Sequence, residues 1–181
     1  MSSNLPIIHP RKSTEYTNRQ KRIYNFLKEQ NVAVLSTVTP NDLPHATVVY
    51  YTIDSGFRVH ILTKTETQKY DNMVHNDHVM LTIFEPKHQT VAQITGRAVE
   101  RTGTGSINEV ASALFGETWH KNDDGLPPIV KLQAGNFTTF KIEPVQIRMA
   151  IYARPESGDY RTLFESIESF DLHDKHLDLA T

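Results

Sequence analysis

The chain contains no cysteine in its 181 residues. That removes disulfides, thiolate metal sites, iron–sulfur clusters and cysteine nucleophiles together. It also lacks any apolar run of the roughly 18 residues that a membrane helix requires. Its opening, M-S-S-N-L-P-I-I-H-P-R-K, lacks the basic-then-apolar order of a secretory signal, so a cytoplasmic protein with no membrane partner is expected. An excess of either charge is missing too. Nineteen Lys and Arg against 21 Asp and Glu leave a formal net charge of −2, which supplies no electrostatic reason to bind nucleic acid. There is no G-x-S-x-G, no P-loop and no G-x-G-x-x-G. The G-T-G-S at Gly103 to Ser106 lacks the strand–turn–helix spacing of a dinucleotide fingerprint and reads as a loop or helix start. Tryptophan occurs once, at Trp119, where it reads as an apolar plug.

What is present suits one domain, because 38% apolar residues in a chain of this length can bury a real core. Ser13 or Thr14 can cap a helix with apolar residues Tyr16, Ile23, Tyr24, Phe26 and Leu27, ending near Gln30. From Asn31 the pattern turns to short β-rich runs with turn signals at P-N-D-L-P and D-S-G. Strands are predicted over Val32–Val38, Ala46–Ile53 and Phe57–Thr63, then a helix from Glu66 to His75, and strands over Val79–Phe84 and Thr90–Arg101. A helix over Ile107–Phe115 and two closing strands, Asn136–Ile142 and Val145–Ala150, complete the set. Six or seven strands at hairpin spacing with few helices predict a mainly β fold, a small antiparallel barrel. The first strand is apolar on both faces, as is Thr47 to Ile53. This predicts a cover over the outer face, either the first helix or a second subunit, and hence a homodimer.

The stretch V-H-I-L-T-K-T-E-T-Q-K, Val59 to Lys69, runs an alternating strand through a hydroxyl-rich turn into a helix start. Helix-start N–H groups lack partners within the helix and carry partial positive charge. Hydroxyls of Thr63, Thr65 and Thr67 with the Lys69 ammonium would complete a phosphate cradle. An ordinary capped helix is the plainer alternative, since Thr is a common cap and Lys a common surface residue.

The order V-A-V-L-S-T-V, P-H-A-T-V-V-Y-Y, V-H-I-L-T-K-T-E-T-Q-K, H-V-M-L-T-I-F, Q-I-T-G-R-A-V resembles the FMN-binding split barrels of the pyridoxamine 5′-phosphate oxidase-like superfamily over about residues 23 to 151. The resemblance implies a mainly β fold with helices, a six-stranded antiparallel split β-barrel, in a homodimer with FMN at the subunit interface, both subunits contributing to each site. It places Thr63 near the flavin phosphate and ribityl chain, with Lys64 beside it, and matches Thr67, Gln68 and Lys69 to a Ser-Arg-Lys phosphate turn. Gln68 stands where the family has Arg, which replaces a bidentate charged pair by a neutral amide; Lys64 or Arg97 would be substitute cations. Thr47, Val48 and Val49, with Ala46, are implied at the isoalloxazine ring, and Gln89 or Thr90 at its edge. The implied domains are an N-terminal arm and helix over 1–30, an FMN-binding split barrel over 31–151 and an acidic tail over 152–181. The tail offers R-T-L at Arg161 to Leu163 in place of the R-L-H substrate motif of the true oxidases, which argues against oxidation of vitamin phosphates.

No metal site is expected. Among nine histidines, His75 and His78 are separated by a helix end and a turn, and His173 and His176 would share a face only if helical. The function expected is that of a small FMN-dependent oxidoreductase acting on an unidentified small molecule, with NADH or NADPH as a donor. The alternatives are a non-catalytic flavin-binding redox or stress protein, and a haem-binding, haem-degrading or deazaflavin-dependent protein on the same barrel.

Overall fold

The computed structural model describes residues 13–116, 136–152 and 164–171. Period-two alternation closes a ring of antiparallel strands, because each strand carries one apolar row that only a common interior can bury. The elements are α1 (Ser13–Glu29), β1 (Val32–Val38), β2 (Pro44–Ile53), β3 (Val59–Lys64), α2 (Gln68–His75), β4 (His78–Glu85), β5 (Thr90–Arg101), α3 (Thr104–Phe115), β6 (Phe137–Tyr152) and β7 (Phe164–Asp171). Hydrogen-bonded order is β3-β2-β1-β4-β5-β6, closed by β3 against β6, with β7 added to β6. The expected six-stranded barrel is therefore observed, with one strand beyond it.

Inward rows from β1 (Ala33, Leu35), β2 (Val49, Tyr51, Ile53), β3 (Val59, Ile61), β4 (Val79, Leu81, Ile83) and β5 (Ala92, Ile94, Ala98) form one core with Phe140, Ile142, Ile147 and Met149 of β6. The helix α1 buries Ile23 and Leu27 completely in that core. It is tied down by the Tyr51 hydroxyl, which donates to the Leu27 carbonyl at 2.7 Å, and by an edge-on contact of Tyr24 with Phe57. It does not cover the outer face of β1, where Val32 and Val34 remain 41% and 40% exposed. None of the described helices is long and apolar enough to cross a membrane.

The two closing strands expected at Asn136–Ile142 and Val145–Ala150 are one continuous strand. The inward residues of β6 are even-numbered at Phe140 and Ile142 but odd-numbered at Ile147 and Met149. A bulge explains the change of phase: Thr95 pairs with Gln146 and Gly96 with Pro144, leaving one residue of β6 unopposed. The bulge also divides the other edge of β6, which pairs with β3 over Phe137–Ile142 and with β7 over Gln146–Tyr152.

Glycine is required at the bulge because a Cβ on Gly96 would lie 2.5 Å from the backbone oxygen of Glu143. Gly96→Ala must push two paired strands apart, and is expected to cost about 1–3 kcal/mol, read as a lower urea midpoint at unchanged slope. An unchanged midpoint would mean that the bulge opens freely.

Candidate functional site

Where β3 runs into α2, the chain makes a turn that is held from inside. Thr63 is fully buried. Its hydroxyl lies 3.2 Å from that of Thr67, which itself donates to the Lys64 carbonyl at 2.8 Å. From the far side, the Thr65 N–H donates to the Asn136 carbonyl at 2.9 Å, and the Asn136 N–H donates to Glu66 Oε1 at 2.9 Å. These contacts spend the threonine hydroxyls on the turn. Thr67 occupies the N-cap of α2 in extended conformation, yet no side chain caps the helix. A side-chain-capped helix is thus not what forms: the Tyr70 N–H donates to the Thr67 carbonyl at 2.9 Å, while the N–H groups of Gln68 and Lys69 meet no capping side chain among the described residues.

Lys69 stands in the first turn of α2, on the same side as the buried Asn72 and Met73. It is half-buried, and among the described residues no carboxylate or hydrogen-bond acceptor meets its ammonium. Burial alone holds its pKa below the usual lysine value. A desolvated cation without a counter-ion beside an uncapped helix start is an arrangement that an anion would relieve. The orientation of α2 is fixed by Asn72, whose amide donates to the Thr37 hydroxyl at 2.9 Å. The Asn72 Oδ1 atom is buried without a partner.

Gln68 is exposed at the helix start. Lys64 is buried on the barrel's other face, its ammonium 5.2 Å from the centre of the Phe137 ring. Arg97 pairs with Asp77 at 3.2 Å, beyond the C-terminal end of α2.

On β2 the side chains alternate. Val49 lies in the core and Val48 is 64% exposed on the outer face, while Thr47 shares the parity of Val49. Only Val48 of the three presents a side chain outward. Gln89 and Thr90 sit at the start of β5, where Thr90 pairs with Ile151, whereas Thr63 pairs with Thr138 beside the Arg101–Thr139 pair at the other end. Thr90 and Arg101 are eleven strand positions apart, about 36 Å along β5. One chain therefore gathers Thr63, Thr67, Gln68 and Lys69 and leaves Gln89 and Thr90 at the opposite end.

The sequence reading missed a second polar group, at the β2–β3 turn. Asp54 accepts from the backbone N–H of Gly56 at 2.9 Å and of Arg58 at 3.1 Å, and from Arg58 Nε at 2.8 Å, with His60 Nε2 at 3.2 Å. Burial raises the Asp54 pKa, but the bonds from His60 and Arg58 outweigh it and hold the carboxyl below its usual value. Within this turn Phe57 is fully buried at φ of 60°, a left-handed conformation costly for a bulky residue. The spacing D-S-G-x-R-x-H was the available signal, since an Asp two residues before Gly commonly bonds its own turn.

Among the described residues no group of three or more His, Asp or Glu is placed to hold a metal. Trp119, Arg161 to Leu163, His173 and His176 lie outside the described residues.

Comparison with known proteins adds three findings. The family model described as pyridoxamine 5′-phosphate oxidase matches residues 20–150. No curated protein matches significantly. Among solved structures, a Listeria innocua protein provisionally named a pyridoxamine 5′-phosphate oxidase is similar at 24% identity and a TM-score of 0.55, over 72% of this chain and 96% of its own. A pyridoxamine 5′-phosphate oxidase-related, FMN-binding protein from Nostoc punctiforme is similar at 13% identity and a TM-score of 0.50, over 91% and 98%. A haem-binding protein from Mycobacterium smegmatis is similar at 14% identity and a TM-score of 0.59, over 92% and 60%. At these identities the structural likeness establishes the fold.

Proposed function

The chain belongs to the pyridoxamine 5′-phosphate oxidase family, and from that premise we propose that it is a small FMN-binding oxidoreductase that works as a homodimer. The observation that carries the reading is Lys69, a half-buried ammonium with no counter-ion among the described residues, at a helix start without a side-chain cap. It fits one phosphate group. The Lys69 ammonium and the first N–H groups of α2 would hold that phosphate, Gln68 would donate neutral hydrogen bonds to it, and Thr63 and Thr67 would keep the turn in shape from below. When bound, FMN supplies the hydride and electron transfer, so no acid–base constellation is asked of the chain itself.

The homodimer is supported by the outer face of β2, β1 and β4. Val48 pairs with Val34, Val34 with Thr82, and Ser36 with Met80. Val32, Val34, Val48, Met80 and Phe84 of these strands are all exposed. A second copy over this face would bury them and could also bring a partner's β5 start, with Gln89 and Thr90, toward the Lys69 end.

The test is the visible spectrum of the purified protein, as isolated and after addition of FMN and removal of the excess. Paired flavin bands that stay with the protein are expected. A Soret band would replace this reading by haem binding, and a colourless protein would end it. With flavin retained, steady oxidation of NADH or NADPH with an acceptor separates an enzyme from a non-catalytic redox protein.

A further inference from the structure

A second feature lies apart from the Lys69 turn. A cavity of about 540 Å³ opens beside α3 on the outer face of β2, β3 and β6. Four donor-bearing side chains reach it from four different elements: Arg58 from the β2–β3 turn, His60 from β3, Arg101 from the end of β5 and Lys141 from β6.

The donor-bearing side chains of this cavity, Arg58, His60, Arg101 and Lys141, outnumber its two carboxylates, Asp54 and Glu109. Asp54 already accepts two backbone N–H groups and the Arg58 Nε–H, with His60 Nε2 at 3.2 Å. Glu109 forms a solvent-exposed ion pair with Arg101 at 3.8 Å, too long for a hydrogen bond. Lys141 is bonded to Glu143 at 2.7 Å, which uses one of three N–H groups. A guanidinium carries five N–H groups; Arg58 spends one on Asp54, and Arg101 makes no hydrogen bond through its side chain among the described residues. The surplus of N–H groups favours a ligand that brings acceptors, and guanidinium pairs best with carboxylate or phosphate oxygens.

The donors are also spread out. Lys141 pairs with His60 across one edge of β6, while Arg101 pairs with Thr139 across the other edge, two residues further along. The two flanks are separated by two strand spacings, about 10 Å, and by about 7 Å along the strand. One carboxylate cannot serve both flanks.

We propose that this cavity binds a compact ligand carrying two or more acidic groups, one held at Arg58 and His60, another at Arg101, with Lys141 between them. The site uses none of Thr63, Thr67, Gln68 or Lys69, so it stands or falls independently of the cofactor reading.

The experiment is calorimetric titration of the full-length protein at low ionic strength with citrate, with inorganic pyrophosphate as a second polyanion and acetate as a singly charged control. Citrate or pyrophosphate is expected to bind at least about tenfold more tightly than acetate. Arg101→Gln and Lys141→Gln should each weaken that binding about tenfold, the size of one charge-assisted hydrogen bond. Both side chains are partly exposed, so the variants should fold, as circular dichroism would verify. Lys69→Ala should leave the citrate affinity unchanged, whereas pyrophosphate can also meet the phosphate turn. Polyanions that bind no better than acetate, binding indifferent to Arg101→Gln and Lys141→Gln, or citrate binding abolished by Lys69→Ala would each overturn the proposal.

Discussion

Lys69→Ala is expected to bind FMN about ten- to a hundredfold more weakly than the parent chain, a loss of roughly 1.5–3 kcal/mol for one charge-assisted phosphate contact. The variant carries a second signature. In the free protein the Lys69 ammonium is half-buried and meets no partner among the described residues, and its pKa is depressed by desolvation. A depressed lysine pKa means that folding costs free energy wherever the unfolded chain is protonated, below the ordinary lysine value, and that this cost fades as pH rises. Removing the amine should therefore leave the stability of the cofactor-free protein unchanged or slightly raised. Affinity for FMN in the parent should also fall at alkaline pH as Lys69 gives up its proton, and that pH dependence should vanish in the variant. Fluorescence titration with FMN, with thermal melts of the free protein, reads all three. Unaltered FMN affinity would remove Lys69 from the phosphate site; weaker binding with an equal loss of stability would make it a structural residue instead.

Much of the barrel was legible in the sequence because its signal is local. Val32–Val38 and Thr90–Arg101 were readable to the residue, since a period of two with turn residues at either end leaves little choice. β6 was not readable as one strand. Its bulge opposite Gly96 shifts the inward row from even to odd positions, which in one dimension looks like a break. Gly96 itself was visible only as part of the segment Q-I-T-G-R-A-V, and the carbonyl of Glu143 that forbids a side chain there belongs to a neighbouring strand. β7 was missed for a related reason. Its Phe164, Ile167 and Phe170 recur every three residues, a spacing without strand period, and the pairing with Gln146–Tyr152 is a tertiary contact.

The site was legible in chemistry more than in geometry. The turn from Thr63 to Lys69 was correctly seen as strand, turn and helix start, but the hydroxyls of Thr63 and Thr67 face into the turn. Which lone pairs a hydroxyl spends depends on neighbours that no spacing rule supplies. The Asp54–Arg58–His60 group escaped notice because Arg and His in a strand following a turn are ordinary surface residues until Asp54 is seen to bind both.

The outer face of β1 supports the second large prediction. Val34 sits in the middle of an exposed apolar row, opposite Val48 on one side and Thr82 on the other. In an isolated chain Val34→Glu places a carboxylate on a surface that is already 40% exposed, and costs little. In a dimer packed through this face, two-fold symmetry buries the new charge twice, unpaired each time. At ~3 kcal/mol or more for each uncompensated charge, association should weaken by about four powers of ten. The variant is expected to sediment as a folded monomer at concentrations where the parent is a dimer, with an unaltered far-ultraviolet spectrum. It should lose FMN as well, because the Lys69 end of one chain would no longer meet the β5 start of the other. The combination discriminates among alternatives. A variant that stays dimeric places the interface elsewhere, and a monomer that still holds FMN tightly would mean that one chain suffices for the site, despite the eleven strand positions between Thr90 and Arg101.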